Sequence, residues 1–338
     1  MTHVANLSIV YILERYDVPC DLSMAFGETE KINAIETVLK QAGFILSERC
    51  YSRPCCFDFV ARRSGNLILI KVQSDTEKIA PSDYIELKAI SDYVSATSLL
   101  ISEKSREKPL EDDTVYSRHN IIAVNERTFE NIVLRKTYPL IRAGPGGYYV
   151  EIDGKAIKRR RQKLGLSIGE LAGMTGVSRR TLYGYERGMA KSSVSTAYNL
   201  ICTLGMPVAK PIDVFEEQKN DETKHFLNAA KETIIRNNLL RRIFMRLARY
   251  NMTAVQRAPF DFLINSKEKM KIVGGVVDDG EEEPKKRVNE ILSFSRVVQA
   301  YPVLVTEKQK TSYEEIPCIC SEELSEINKP EDLVENSK

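Results

Sequence analysis

The apolar positions divide the chain into helical and alternating stretches. Ile32, Ile35, Val38 and Leu39 recur at helical spacing and predict an amphipathic helix over Lys31–Ala42. Strand-like runs follow at Phe44–Ser47, Cys56–Ala61 and Leu67–Val72, the last two joined by the turn Arg63-Ser64-Gly65-Asn66. Asp83–Val94 reads as a second amphipathic helix, and Leu99–Ser102 and Ile121–Val124 as short buried strands. Helix, strands, helix, strand, strand is the order of an α/β sandwich built on one mixed sheet. Ala143-Gly-Pro-Gly-Gly-Tyr148 punctuates the chain as a hinge or hairpin, and no Gly-Lys-Ser/Thr follows to make it a phosphate loop.

From Asp153 to about Glu216 the pattern predicts a bundle of short helices. Thr223–Tyr250 reads as a longer helix, apolar at Leu227, Ile234, Leu240, Ile243 and Leu247. The strand pattern then returns, and with it a repeat. Phe57-Asp58-Phe59-Val60 recurs as Phe260-Asp261-Phe262-Leu263, and Leu99–Lys104 recurs as Val303–Lys308, at offsets of 203 and 204. Two matches in one register predict a duplicated α/β domain flanking a helical centre. The expected divisions are an α/β domain at 1–142, a linker at 143–152, a helical domain at 153–218 and a degenerate second α/β copy at 219–338.

Composition adds exclusions. The 338 residues are 43% hydrophobic and 28% charged, ordinary for a globular protein of two or three domains. No apolar run approaches the roughly 18 residues of a membrane helix. The absence of a basic stretch before Ser8–Leu13 predicts no signal peptide. Seven cysteines, with Cys55-Cys56 and Cys318-x-Cys320 as close pairs, suit buried free thiols in a reducing cytoplasm and lack the second pair that zinc needs. His3, His119 and His225 supply little for metal sites or triads. Asp278–Glu283 reads as a solvated hairpin loop, and the acidic stretch from Ser321 as a surface helix and frayed end. No cofactor, metal site or membrane partner is expected.

The net charge of +2 hides a strong asymmetry. Between Lys155 and Lys191 there are ten Lys and Arg against Glu170 and Glu186, giving +8 and leaving −6 for the rest. A compact basic module inside an acidic protein is the charge distribution of a surface that meets phosphates. Within that module Ser167 is a natural N-cap for a helix ending near Thr175, Gly176 supplies a left-handed turn, and Ser178 caps the next helix. Leu171, Val177 and Leu182 are spaced to meet beneath the crossing, and Ala172 is small enough for the helices to approach. These are the places where a helix-turn-helix requires an apolar plug, a positive φ and a small residue.

The stretch from about Ile157 to Phe215 resembles the five-helix Cro/C1 (lambda-repressor-like) DNA-binding domain. The resemblance rests on Leu164-Gly-Leu-Ser167, Glu170-Leu-Ala172, Gly176-Val-Ser178 and Tyr185-Glu-Arg-Gly188, followed by a Leu200–Leu204-Gly helix end and Pro211–Val214. It implies a recognition helix over 178–187 in the major groove of double-stranded DNA, carried by a homodimer on two half-sites. Arg179 and Arg180 would read base edges, Arg suiting guanine bidentately. Tyr183 would reach a thymine methyl or a phosphate. Ser167, Ser178, Thr181, Arg187, Lys191 and Ser192 would complete the contact surface. Gly184 stands where the family often has a polar residue, and Ile168 where it often has Gln, which moves base reading toward the arginines. Arg161 and Glu186 would pair structurally. With large α/β flanks, the whole resembles the Cro/C1-type transcriptional regulators of archaea.

The flanks invite a second resemblance. A helix, a strand bearing Asp58, then a strand ending Leu69-Ile-Lys71 and another helix resemble the restriction-endonuclease-like fold. That chemistry uses an Asp and a second acid two residues before a Lys to hold Mg²⁺. Here Leu69 takes the second acid's place, with Gln73 beyond Lys71. In the second copy Asp261 remains while Ile272 and Gly274 are expected at the other two positions. The reading is a cytoplasmic, non-enzymatic DNA-binding transcriptional regulator of multidomain α/β plus all-α class. A Mg²⁺-dependent nuclease targeted by the motif and a non-DNA interaction module stay open as alternatives. The sequence leaves any effector, the operator and the direction of regulation unspecified.

Overall fold

A computed structural model describes residues 20–216, 237–247, 249–266, 270–277, 284–307 and 316–335. The chain opens with helix α1 (Cys20–Gln41), longer than its apolar spacing suggested, and strands β1 (Ile45–Leu46), β2 (Phe59–Arg63) and β3 (Asn66–Val72). Helix α2 (Pro81–Val94) follows. It starts on a proline, whose missing N–H costs nothing there, and ends on Ser95 in the left-handed region. Next come β4 (Thr97–Ile101), β5 (Thr114–Arg118), β6 (Ile121–Val124) and helix α3 (Glu126–Arg135). Neither β5 nor α3 was expected; α3 is started by the Asn125 side chain, which accepts from the Thr128 amide.

The sheet does not end there. The glycine-rich stretch, expected as a hinge or hairpin within a linker, is a hairpin of paired strands, β7 (Ile141–Gly144) and β8 (Gly147–Val150). Strand β7 runs parallel to β5, and β8 pairs with a two-residue strand β9 (Ser192–Ser193) inside the helical module. The nine strands lie in the order β1-β2-β3-β4-β6-β5-β7-β8-β9.

Helices α4 (Gly154–Lys163), α5 (Ile168–Thr175), α6 (Arg179–Glu186) and α7 (Val194–Leu204) form the centre around a small core of Ile157, Leu171, Ala172, Leu182, Leu200 and Leu204. Four helices are described here, not five. Pro211–Val214, expected to extend the bundle, leaves it instead. The Ile212 amide donates to the Pro139 carbonyl, and Ile212 and Val214 are buried with α1 and α3 against the first sheet. Their two apolar side chains find more burial on the sheet than a further short helix would offer.

Of the expected Thr223–Tyr250 helix, residues 223–236 lie outside those described. Helix α8 (Asn238–Arg246) is capped by Asn237, and it stops before Tyr250. Strands β10 (Asn251–Ala254), β11 (Phe262–Asn265) and β12 (Lys271–Val277), helix α9 (Pro284–Val298), and strands β13 (Tyr301–Thr306) and β14 (Cys318–Cys320) follow. Their sheet, β10-β11-β12-β13-β14, has two antiparallel pairs and then two parallel ones. That is the order and direction of β1-β2-β3-β4-β6. The acidic stretch from Ser321 is not a frayed surface: Leu324, Ile327 and Leu333 are buried with α8 beneath this sheet, the last on the short helix α10 (Asp332–Glu335). The Asp278–Glu283 loop lies outside the described residues.

The facing sides of the two sheets share one continuous apolar core. Phe57, Val60, Leu69, Leu87 and Ile90 pack with Phe260, Leu263, Val273, Ile291 and Phe294. The Phe57 and Phe260 rings lie 6.4 Å apart, both against Phe294. Burial of this kind, at about 25 cal/mol per Å² of apolar surface, makes the halves one body.

Candidate nucleic-acid interface and the two aspartate sites

Local chemistry builds the helix-turn-helix. The Ser167 hydroxyl accepts from the Glu170 amide while the Glu170 carboxylate accepts from the Ser167 amide at 2.7 Å, a reciprocal cap that starts α5. Those bonds hold the Glu170 carboxyl below its ordinary range. Gly176 closes α5 at φ +71, a conformation that costs glycine little, and Ser178 caps α6 by accepting from the Thr181 amide. Gly154 starts α4 where a Cβ would fall 2.0 Å from the Tyr185 carbonyl, so only glycine lets α4 and α6 approach.

Arg161 and Glu186 fix the helices from within. The guanidinium donates to both carboxylate oxygens, at 2.5 and 3.0 Å, and to the Leu166 carbonyl at 2.8 Å. The Glu186 hydrogen bond raises the Arg161 pKa against the opposing effect of burial. Leu171, Ala172 and Leu182 are buried, and Val177 packs beside them.

Arg179 and Arg180 open α6 and are exposed, as are Ser167, Ser178, Arg187 and Lys191. The Arg179 guanidinium lies over Gly169 of α5, where an added Cβ would fall 2.8 Å from its Nε, and Arg180 is exposed beside it. Tyr183 is 45% exposed one turn on, with the Arg187 guanidinium 5.0 Å from its ring centre. Ile168 is half-buried against the helical core, and Gly184 is half-buried beside Ala190. The Thr181 hydroxyl is shared with that of Ser178 at 2.8 Å. Ser192 departs from expectation. It is fully buried, its hydroxyl donating to the Ser193 carbonyl, because β9 must pair with β8. Ser193, which sequence reasoning did not single out, is the exposed residue there and caps α7.

The two aspartates are the second cluster. Both oxygens of Asp58 are engaged, one by the Lys71 ammonium at 2.9 Å and the other by the Val72 amide at 2.6 Å. Burial pulls the Lys71 pKa down, but Asp58 more than reverses it and the net shift is upward. Leu69 is fully buried in the shared core. Glu28 of α1, overlooked in the sequence, meets Gln73 at 2.6 Å and Ser74 at 3.3 Å beyond the strand. No group of three His, Cys, Asp or Glu side chains that could hold a metal occurs among the described residues. Mg²⁺ needs oxygen ligands free to reach it, and this donor set does not fit it.

In the second half the strand register corrects the expected correspondence by one residue. Phe59 pairs with Ile70 and Phe262 with Gly274, so Val273 stands where Leu69 does and Gly275 where Lys71 does. The cation comes instead from α9. Arg287, fully buried, donates to Asp261 and to the carbonyls of Pro259 and Val276, and Arg53 of the first half reaches Asp261 at 2.6 Å. Cys56 and Cys318 are buried thiols as expected, whereas Cys55 and Cys320 are half-buried. No described helix is long and apolar enough to cross a membrane.

A helical DNA-binding-type motif set beside an aspartate-lysine sheet defines a class, and the comparisons agree with it. Residues 28–139 match the PD-(D/E)XK superfamily domain and residues 157–210 match a helix-turn-helix family. A protein of Methanocaldococcus jannaschii described as a "Putative HTH-type transcriptional regulatory protein" is 30% identical over 286 residues, covering 84% of this chain and 88% of that one. Its counterpart in Pyrococcus furiosus is 32% identical, covering 89% and 94%. The chain belongs to this family of archaeal HTH-type transcriptional regulatory proteins. Among solved structures, the restriction-modification controller protein C.AhdI from Aeromonas hydrophila is 30% identical over 16% of this chain and 80% of its own, with a TM-score of 0.15.

Proposed function

We propose that the protein is a sequence-specific, double-stranded DNA-binding transcriptional regulator that inserts α6 into the major groove. The observation that carries this reading is the exposed pair Arg179 and Arg180 at the capped start of α6, within a segment of charge +8. A helix in that groove presents its first turns to base edges, and Arg matches guanine O6 and N7 in a bidentate bond. Arg179 and Arg180 are the base readers, with Arg179 resting over Gly169. Tyr183 and Arg187 extend the surface, and Ser167, Ser178, Thr181, Ser193 and Lys191 meet the phosphates. Two copies would bind two half-sites.

In this reading residues 153–218 are the DNA-binding domain, and the α/β segments on either side are related nuclease-like folds without cleavage activity. The strand order common to both sheets supports the duplication, and the fully engaged Asp58 supports the loss of catalysis. The protein acts in the cytoplasm.

Selection of bound sequences from random duplexes tests the proposal. Arg180→Ala is expected to weaken the selected site by about 1–3 kcal/mol and relax one base pair. Unchanged affinity in Arg179→Ala/Arg180→Ala would overturn the groove orientation. Supercoiled plasmid with Mg²⁺ or Mn²⁺ is expected to stay intact; nicking abolished by Asp58→Ala would restore the nuclease alternative.

A further inference from the structure

Where the two halves meet, α2 and α9 end side by side. Ser95 and Gln299 terminate them at matching positions, both left-handed, at φ 61 and 59. Between these ends lies a cavity of about 310 Å³ lined by Arg62, Leu67, Val94, Ser95, Lys271 and Val298, together with Gly65 and Gln299. Ser95 and Gln299 are exposed, and Arg62 and Lys271 are half-buried.

Among the described residues, Arg62 and Lys271 are the only charged side chains in the lining. They come from opposite halves and from non-equivalent strands. Arg62 of β2 is paired with Leu67, while in the second half Asn265 is paired with Lys271. A scaffold of matching halves thus places two cations together without symmetry requiring it. Each meets a helix end: Arg62 donates to the Val297 carbonyl at 3.2 Å and Lys271 to the Val94 carbonyl at 2.7 Å. Capping of carbonyls is the simplest role for such cations, so the charges decide how far it goes. Two helix C-termini contribute about −0.5 each against two full positive charges. The remainder is about +1. Among the described residues no carboxylate pairs with either side chain, and most of their donors have no protein acceptor. Burial and the neighbouring Arg62 both push the Lys271 pKa down, as expected for cations crowded without an acid.

We propose that this cavity binds a small organic or inorganic oxyanion, a carboxylate or phosphate, between Arg62 and Lys271, as an effector site joining the two α/β halves. Its volume is at the small end of ligand pockets, about 300–1,000 Å³, and admits a compact metabolite. Concavity argues against a duplex, whose phosphates line a convex rail. A guanidinium and an ammonium supply a bidentate fork and a point charge to the same anionic group.

The test uses the full chain and two probes, sodium phosphate and sodium succinate, each against sodium chloride at matched ionic strength. A saturable rise in unfolding temperature with either probe beyond chloride is expected, and which one responds identifies the class. Arg62→Gln/Lys271→Gln should weaken the apparent affinity at least tenfold, while Arg180→Ala should leave it unchanged. An equal response in wild type and the double variant, a response lost only in Arg180→Ala, or no response to either probe would each overturn the site. Should the double variant not fold, acetylation of Lys271 in the wild-type protein, read by mass spectrometry, decides. Protection by the responding anion supports the site, and unchanged acetylation refutes it.

Discussion

The two halves keep one aspartate and surround it with different cations. Asp58 is held by Lys71 of its own sheet, and Asp261 by Arg287 of the following helix and Arg53 of the other half. In the register that sets Glu86 against Glu290, Arg287 stands where the first half has Asp83. There the relation is reversed: Asp83 pairs with Arg257 of the second half. What persists is the carboxylate that accepts a backbone amide across the sheet, from Val72 in one half and Val276 in the other. What changes is the source of the compensating charge. In both halves the aspartate thus ties the end of its strand to the neighbouring strand through that amide, whichever cation balances it.

The difference in burial sets the largest expected effect. Arg287 is fully buried, so Asp261→Ala takes a carboxylate from a charge that cannot reach water; a loss near 5 kcal/mol is expected, about the upper end for a broken buried pair. The Lys71 side chain keeps 16% of its surface, and Asp58→Ala should cost less, about 3 kcal/mol. Urea midpoints of the two variants, with the denaturant slope checked, give the order. An equal or reversed loss would mean that Arg53 or a rearranged Arg287 finds other compensation.

A second contrast lies one rung along the ladder. Phe59 faces Ile70, but Phe262 faces Gly274, where an added Cβ would fall 1.9 Å from the ring. Equivalent positions thus fail in opposite ways. Ile70→Ala should leave a cavity and cost about 3 kcal/mol, and Gly274→Ala should overpack and cost about 2 kcal/mol. Thermal unfolding of both measures it, and a neutral Gly274→Ala would show that the Phe262 ring can turn aside.

These contrasts mark where the sequence was legible. The helix-turn-helix could be read because its signals are local: Ser167 with Glu170, Gly176 and Ser178 each act within four residues. The common strand order of the two sheets was foreshadowed by Phe57-Asp58-Phe59 and Phe260-Asp261-Phe262. The position that replaces Lys71 was not, because one extra residue between β11 and β12 shifts the register and the substitute cation comes from another element. Burial of Ser192 and docking of Ile212 and Val214 depend on strand pairing and on a distant sheet surface. Leu324, Ile327 and Leu333 are too sparse among acids to announce a buried segment. Arg62 and Lys271 meet only once the halves are packed.

The smallest effect probes the most symmetrical feature. Glu86 of α2 accepts the amides of Gln256 and Arg257, and Glu290 of α9 accepts those of Tyr51 and Ser52, each helix capping the other half's loop. Burial raises the Glu86 pKa, and the two amide bonds only partly offset it. An acid whose folded pKa lies above its unfolded value binds more protons when folded, so its contribution falls as pH rises from about 4.5 through the folded pKa. Glu86→Gln keeps an amide oxygen for both donors and removes the titration. Wild type should therefore lose more stability than Glu86→Gln between about pH 4.5 and 7, by about 1.4 kcal/mol for every tenfold by which folding tightens the carboxyl's hold on its proton. Urea unfolding at the two pH values reads the difference. If the gap between the proteins does not change with pH, the amides outweigh burial at Glu86, and its cap is a permanently charged one.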